Sequence, residues 1–265
     1  MNTQEHVEHL RDKLALLEKE RGVKVVFACV VGSRAYGLEG PDSDCDAKFV
    51  FVQPLERYLE MSGPVEYLYA GDDCTGYDLR VFLRLLKKSG FNAMEMVHSP
   101  NVFIGKELRA TFASFAMACA DPYRMAVAYL ACIKRCENRF KNTDEPLKKL
   151  KQVVTATRLY YSAYAVVKMN VLPVPVVYDD LLNLVERDLY VAVDREMAQR
   201  KRNGIEVDTA QLSMLLFDVL QAAEALKEDA AAPVGALAAE AGRTAFKVAD
   251  MDKEFNAFFM KQLGL

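Results

Sequence analysis

The chain has 265 residues, of which 52% are hydrophobic, and it carries 34 Lys plus Arg against 37 Asp plus Glu for a formal net charge of −3. It is therefore too apolar to be a disordered chain, and it is long enough for one large domain or two small ones. The slightly acidic balance argues against a general nucleic-acid coat protein, although it leaves room for a local basic groove.

The sequence contains no continuous apolar run of about 18 residues, so we expect no membrane span. Its first 22 residues are charged and have a helical pattern, unlike a signal peptide. From these two observations we expect a cytoplasmic protein.

Helices and strands alternate in the first hundred residues. Apolar residues at helical spacing predict a helix over 4–21, and the β-branched run 24–31 predicts a buried strand. A short helical turn follows Gly32-Ser33, and a second strand is predicted over 44–52. The next predicted elements are a helix over 55–61, strands over 65–70 and 75–79, and helices over 80–88 and 92–98.

The pattern becomes helical from residue 106 onward. Helices are predicted over 106–119, 122–140, 147–170, 178–190, 208–229 and 236–262, and the basic run 195–202 is predicted to be an exposed loop or helix end. The change predicts an α+β fold. We expect a small mixed β-sheet core with flanking helices at residues 1–105 and a largely α-helical domain at residues 106–265.

One segment, residues 32–46, carries residue types that suit phosphate and metal chemistry. Gly32 lets a phosphate approach the backbone closely, and the Ser33 hydroxyl adds a donor. Asp44 and Asp46 alternate along a predicted strand, so both carboxylates project from one face while Cys45 faces away. Two carboxylates side by side repel each other unless a hard cation such as Mg²⁺ lies between them.

Each half of this motif also has a structural interpretation. Gly-Ser after a strand is usually only a turn, and Asp-x-Asp at a strand start is often a solvated cap. The two halves in this order and at this spacing are much rarer than either half alone. The combination favours phosphoryl or nucleotidyl transfer.

The order strand, Gly-Ser, about a dozen residues and Asp-x-Asp on a strand resembles the DNA polymerase beta-type nucleotidyltransferase superfamily. The fuller string GSRAYGLEGPDSDCDAKFVFVQPLERYL looks like one subgroup, the predicted RNA-repair-associated (RlaP-like) nucleotidyltransferases. The resemblance continues at residues 76–80 and 99–102, and more weakly around 147–182.

The resemblance implies roles for the matched residues. Gly32 and Ser33 would hold the phosphates of an incoming NTP, while Asp44 and Asp46 would ligate two Mg²⁺ or Mn²⁺ ions. Asp78 is the best match for the third carboxylate of the superfamily. It would bind the second metal ion and favour deprotonation of the acceptor hydroxyl.

Asp78 has an alternative interpretation as the N-cap of the helix that begins near Arg80. Asp42 and Asp73 are competing candidates for the third carboxylate, but each is better explained as a turn residue.

Several other polar residues are candidates for phosphate or acceptor contacts. Arg34 and Ser43 lie within the motif and are assigned to phosphate binding. The possible phosphate or acceptor contacts farther along the chain are Arg80, Arg84, Lys151 and Arg158. Each of these cations has the alternative of a solvated helix charge, and Lys151 and Arg158, seven apart, share one helix face.

The resemblance implies a Mg²⁺-dependent nucleotidyltransferase, an enzyme that moves an NMP from an NTP, such as ATP, to a hydroxyl acceptor and releases pyrophosphate. An RNA end is the favoured acceptor. Protein nucleotidylation, as in antitoxin-like members, is the alternative. A non-catalytic nucleotide-binding module and a helical interaction protein with an incidental motif are the remaining hypotheses.

Overall fold

The computed structural model describes residues 3–41, 43–71, 73–231 and 251–265. The chain divides into two compact units by its contacts. The first unit comprises Met1–Ala35, Asp44–Ala120 and Arg243–Leu265, and the second comprises Tyr36–Ser43 and Asp121–Gly242. The predicted α+β class is confirmed, whereas the predicted domain boundary after residue 105 stays a prediction.

The first unit is built on a five-stranded mixed sheet with the strand order β3-β4-β2-β1-β5. The strands are β1 (Lys24–Val30), β2 (Ala47–Val52), β3 (Tyr67–Tyr69), β4 (Cys74–Asp78) and β5 (Val102–Ile104). β2 and β4 run parallel, and the other three neighbouring pairs are antiparallel. The predicted strands over 24–31, 44–52, 65–70 and 75–79 correspond to β1 to β4, whereas β5 was not predicted.

Helices cover both faces of this sheet. They are α1 (Thr3–Arg21), α2 (Gly32–Ala35), α3 (Leu55–Leu59), α4 (Leu79–Lys87), α5 (Phe91–His98), a 3₁₀ turn (Lys106–Leu108) and α6 (Arg109–Cys119). A further helix covers residues 251–263, and the rest of the helix predicted over 236–262 lies outside the described residues.

Two apolar layers hold the first unit together. On one face of the sheet, α1 buries Leu10 and Leu14 against Phe49 and Phe51 of β2. On the other face, the Phe112 ring of α6 packs edge-on against Phe27 of β1, with 5.4 Å between the ring centroids. Because β1 is buried on both faces, its sequence is a continuous apolar run.

In the described part of the second unit, which ends at residue 231, all the regular structure is helical. Its helices are α7 (Pro122–Lys141), α8 (Pro146–Val167), α9 (Tyr178–Val185), α10 (Ala192–Arg202) and α11 (Thr209–Ala231). A proline begins both α7 and α8, where its missing N–H removes no helical hydrogen bond. Of the two alternatives predicted for 195–202, the helix end is correct because these residues form the C-terminal part of α10, although the helix itself was not predicted.

Within the described ranges, no helix is both long enough and apolar enough to span a bilayer.

Candidate functional site

Gly32 and Asp46 lie in contact where β1 ends and β2 is about to begin. The N–H of Val31 donates to the carbonyl oxygen of Asp46 at 2.9 Å, so the two chain segments remain paired beyond the strands. Gly32 has a φ of +68°, and a Cβ atom there would lie 2.6 Å from Oδ2 of Asp46. Only glycine allows this backbone turn and this close approach of the carboxylate.

Asp46 faces the side of the sheet opposite α1. The preceding Cys45 packs against the core on the α1 side, and alternation turns the Asp46 carboxylate the other way, towards Lys48. Burial lowers the pKa of Lys48, and the nearby Glu95, the Cys29 thiol and Asp46 oppose that shift. The structure therefore gathers Asp46, Lys48 and Glu95 in one electrostatic neighbourhood.

Lys48 and Glu95 were not predicted as site residues. Lys48 could have been found because it stands two residues after Asp46 and must share its face of the sheet. Glu95 lies on α5 and has no such signal, since only the packing of that helix brings it near Lys48.

Asp44 is exposed, and its backbone is held by Arg34. Nε of Arg34 donates to the carbonyl oxygen of Asp44 at 3.3 Å, and Nη2 lies 3.3 Å from Nε2 of His6. Arg34 therefore bridges the two halves of the motif within the first unit. Burial, and then the positive charge of Arg34, lowers the pKa of His6.

Ser33 and Ser43 have different surroundings. Ser33 is half-buried in the first turn after Gly32. Ser43 belongs to the segment Tyr36–Ser43 of the second unit, where its hydroxyl accepts a hydrogen bond from the N–H of Gly40 at 2.8 Å. This contact gives Ser43 a role in closing the turn. Its predicted phosphate contact stays a prediction.

Asp78 is almost completely buried, with 1% of its surface exposed, and it caps α4. Its carboxylate accepts hydrogen bonds from the N–H of Arg80 at 2.9 Å, the hydroxyl of Tyr58 at 2.6 Å and the side-chain amide of Gln53 at 3.0 Å. Burial, and then this bond to Asp78, raises the pKa of Tyr58. The carboxylate is thus fully engaged inside the first unit.

The sheet register separates Asp78 from Asp46. In the parallel pair of β2 and β4, Ala47 is opposite Cys74, and Phe51 is opposite Asp78. Asp78 therefore lies five residues further along the sheet than Asp46, or about 16 Å at roughly 3.3 Å per residue. The structure does not bring Asp78 together with Asp44 and Asp46. Its third-carboxylate role stays a prediction, and its placement favours the capping alternative.

The competing candidate Asp73 lies much closer to the pair. Its carbonyl oxygen accepts a hydrogen bond from the N–H of Ala47 at 2.8 Å, directly beside Asp46. Asp42 lies outside the described residues.

Arg80 and Arg84 both have partners in the first unit. The Arg80 guanidinium lies over the Tyr58 ring, 4.5 Å from its centroid, and its Nε is 3.7 Å from Asp78. Arg84 forms an exposed ion pair with Glu66 at 2.9 Å. Of the two, Arg84 is the more accessible to a ligand.

Lys151 and Arg158, both on α8, occupy different environments in the second unit. Arg158 is buried, and its guanidinium lies 3.6 Å from the centroid of the Tyr36 ring. Lys151 is exposed and lies close enough to Lys201 to affect its charge. Burial, and then the positive charge of Lys151, lowers the pKa of Lys201 to about 8.

The end of α10 holds the segment Tyr36–Ser43 within the second unit. Lys201 donates a hydrogen bond to the carbonyl oxygen of Leu38, and Arg202 donates one to that of Gly37 at 2.6 Å. Neither contact was predicted, because the basic run 195–202 was expected to be an exposed loop or helix end.

The residues around Gly32 fit a magnesium ion that arrives with its nucleotide. Across the described ranges, which leave out Asp42 and Asp72, no group of three or more His, Cys, Asp or Glu residues is arranged as a metal site. Mg²⁺ commonly uses only one or two carboxylates and completes its shell with water and substrate phosphates. Asp44 and Asp46, which lie just before β2, would supply those carboxylates.

Comparison with known protein families gives a match that covers both halves of the motif. A model of the RNA repair pathway DNA polymerase beta family (RlaP) matches residues 7–243. The chain is also 28% identical over 207 residues to the uncharacterized protein YcgL of Bacillus subtilis (strain 168), covering 74% of this chain and 77% of that protein. The resemblance inferred from the motif is confirmed.

Proposed function

Because the chain belongs to the RNA repair pathway DNA polymerase beta family, we propose that it transfers an NMP from an NTP to a hydroxyl acceptor and releases pyrophosphate. The observation that carries the proposal is the contact between Gly32 and Asp46. It brings the carboxylate of Asp46 to the turn that would hold the phosphates, which supports a shared site for metal and phosphate.

The proposed reaction is an in-line displacement at the α-phosphorus. The acceptor oxygen forms a bond to phosphorus as the bond to pyrophosphate breaks, the hydroxyl proton is released to solvent, and no covalent intermediate forms on the protein. Gly32 and Ser33 admit and hold the phosphates, while Asp44 and Asp46 supply the negative charge that holds Mg²⁺ or Mn²⁺. When bound, the metal ion neutralises developing charge and favours deprotonation of the acceptor hydroxyl.

An RNA end is the proposed acceptor. The family description supports this choice because it places the family in RNA repair. Protein nucleotidylation and nucleotide binding without turnover are the alternatives. They share the same NTP site and differ only in what, if anything, receives the NMP.

The test uses the four NTPs, each labelled at the α-phosphate. Each is incubated with Mg²⁺ and the full chain, together with RNA, with cell lysate or with no acceptor. An Asp44→Ala/Asp46→Ala variant runs alongside a matched control, Asp12→Ala/Glu20→Ala, which removes two exposed acidic residues from α1. The proposal requires label transfer by the wild type and the control but not by the site variant.

The acceptor that becomes labelled separates the alternatives. Label on RNA supports the RNA-end proposal, whereas label on protein replaces it with nucleotidylation. NTP binding that depends on Mg²⁺ without any transfer indicates the binding module. Transfer that survives in the Asp44→Ala/Asp46→Ala variant contradicts the assigned site.

A further inference from the structure

We propose that Tyr69, supported by Tyr67, is a stacking platform for a base near the acceptor end of single-stranded RNA. This inference rests on the proposed function, since it names where that acceptor binds. All residues of the proposed platform belong to the first unit.

Tyr69 shares a face of the sheet with the proposed catalytic carboxylate. The strand register aligns Lys48 of β2, Thr75 of β4 and Tyr69 of β3 in one row across the sheet. Their neighbours in the preceding row, Ala47 and Cys74, belong to the core on the α1 side. The side chains of the Lys48 row therefore point to the opposite face, which Asp46 also faces.

The two tyrosines present accessible aromatic surface at the edge of the sheet. Tyr69 is 67% exposed and Tyr67 is 43% exposed. The Tyr67 ring packs edge-on against the buried Tyr77, with 5.8 Å between the centroids. Burial raises the pKa of Tyr77, and the neighbouring Tyr67 and Tyr69 raise it further. The three rings thus form one cluster whose inner member is fixed and whose outer member faces solvent.

The chemistry of this edge favours a nucleic acid over a protein segment. Bases stack on aromatic rings without regard to sequence, and nearby cations contact the backbone phosphates. Lys13 reaches the turn after β3, where its ammonium lies 3.6 Å from the place a Cβ of Gly71 would occupy. Arg84 stands at the other end of β3, paired with the exposed Glu66. A cation therefore lies near each end of β3, Lys13 from α1 on the other face of the sheet and Arg84 in its ion pair with Glu66.

The distance from the platform to Asp46 indicates which base would stack. Tyr69 lies two strands across the sheet and two residues along it from Asp46. With a strand spacing of about 4.8 Å and a rise of about 3.3 Å per residue, the two residues are about 12 Å apart. Stacked nucleotides rise about 3.4 Å each, so the interval corresponds to three or four nucleotides. An acceptor hydroxyl beside Asp46 would thus place the third or fourth base from the end on Tyr69.

The experiment measures RNA binding in the absence of catalysis. The platform can therefore be rejected even if the proposed transfer reaction is confirmed. Fluorescence anisotropy of a labelled single-stranded RNA at low ionic strength, without NTP, compares the full-length wild type with Tyr69→Ala and Tyr69→Phe. The control is Tyr190→Ala, which removes an exposed tyrosine of the second unit. RNAs with 2-aminopurine at each of the last six positions report stacking as loss of fluorescence.

The proposal expects Tyr69→Ala to bind RNA about 5- to 150-fold more weakly, the range for loss of one base–aromatic stack. Tyr69→Phe and Tyr190→Ala should stay within about twofold of the wild type, and quenching should be strongest at the third or fourth position from one end. Unchanged RNA binding by Tyr69→Ala overturns the inference, as does equal loss in Tyr190→Ala.

Two further outcomes separate this inference from the proposed function. A wild type that transfers NMP but binds no RNA overturns the platform and leaves the transferase in place. If the transfer assay labels protein, and Tyr69→Ala abolishes that labelling, the edge docks a protein acceptor and the RNA inference is wrong.

Discussion

Asp46 and Asp78 lie at opposite ends of neighbouring strands in the same sheet, and they differ in burial and in surroundings. Asp78 is 1% exposed and accepts hydrogen bonds from Tyr58, Gln53 and the backbone of Arg80. Asp46 is only half-buried and lies against the bare backbone of Gly32. Burial, more than the residue type, therefore separates a structural carboxylate from a candidate metal ligand.

The largest expected effect comes from Asp46→Asn. Removing the charge next to Gly32 should lower the NMP transfer rate by about 1000-fold or more, as loss of a group that stabilises transition-state charge does. The transfer rate should fall far more than the stability does, because Asp46 is only half-buried. Initial-rate measurements with labelled NTP and urea unfolding check both parts. A variant with full activity would show that Asp46 is not a ligand.

Asp78→Asn makes the same chemical change at the far end of the neighbouring strand β4. It should lower the stability and leave the transfer rate nearly unchanged. The amide cannot accept all three hydrogen bonds, so the free energy of unfolding should fall by about 1–3 kcal/mol. Urea unfolding measures the loss, and the transfer rate per folded molecule should stay within about threefold of the wild type. A large loss of rate with unchanged stability would restore Asp78 as the third carboxylate.

Gly32→Ala tests the close approach of the Asp46 carboxylate to the backbone of Gly32. The added methyl group would meet Oδ2 of Asp46 at 2.6 Å, so we expect transfer to fall by about tenfold to 100-fold through displacement of the carboxylate. The positive φ should cost about 1–2 kcal/mol of stability.

Gly22→Ala is the matched control for that substitution. Gly22 has a φ of +62°, and a Cβ there meets nothing within 4 Å. It should show a similar loss of stability with no loss of transfer. Equal loss of transfer in both variants would mean that backbone strain alone explains the effect.

The smallest expected effect comes from Tyr58→Phe, which removes one donor to Asp78. The free energy of unfolding should fall by about 1–2 kcal/mol because a buried carboxylate loses a charge-assisted hydrogen bond. Thermal unfolding measures the change, with Tyr190→Phe as an exposed control. Identical melting temperatures for the two variants would contradict the structural role assigned to the network.

The sequence predicted the elements that carry strong periodic signals. The helix over 4–21, the apolar strand over 24–31 and the order of the motif each follow from a regular pattern and from residues with special backbone properties. α10 was missed because it is a highly charged helix whose only buried residues are Met197 and Ala198. Too few apolar positions remain in such a helix to show its period.

β5 was missed because three residues carry no period of their own. Its place is decided by partners: the hydroxyl of Ser99 donates to the carbonyl oxygen of Val30 at 2.8 Å, and the N–H of Val30 donates to the carbonyl oxygen of Asn101 at 3.0 Å. Long-range pairing with β1 therefore creates the strand.

The distance between Asp78 and Asp46 depends on the direction in which β4 runs beside β2, and the sequence does not show that direction. In a parallel pair the strands begin at the same edge of the sheet, and Asp78 ends β4 while Asp46 precedes β2. An antiparallel pairing would have placed the same residue near the motif. Strand direction, which tertiary packing decides, thus determined which interpretation of Asp78 its surroundings favour.

The packing of Gly40 against the end of α10 has a consequence for the segment Tyr36–Ser43 of the second unit. A Cβ at Gly40 would lie 2.8 Å from the carbonyl oxygen of Lys201, so the backbone there approaches the helix end more closely than any side chain allows. The contacts proposed for Gly32, Ser33, Asp44 and Asp46 place no such demand on position 40. Glycine at this position is therefore required by helix packing, and a larger residue there would have to displace the end of α10.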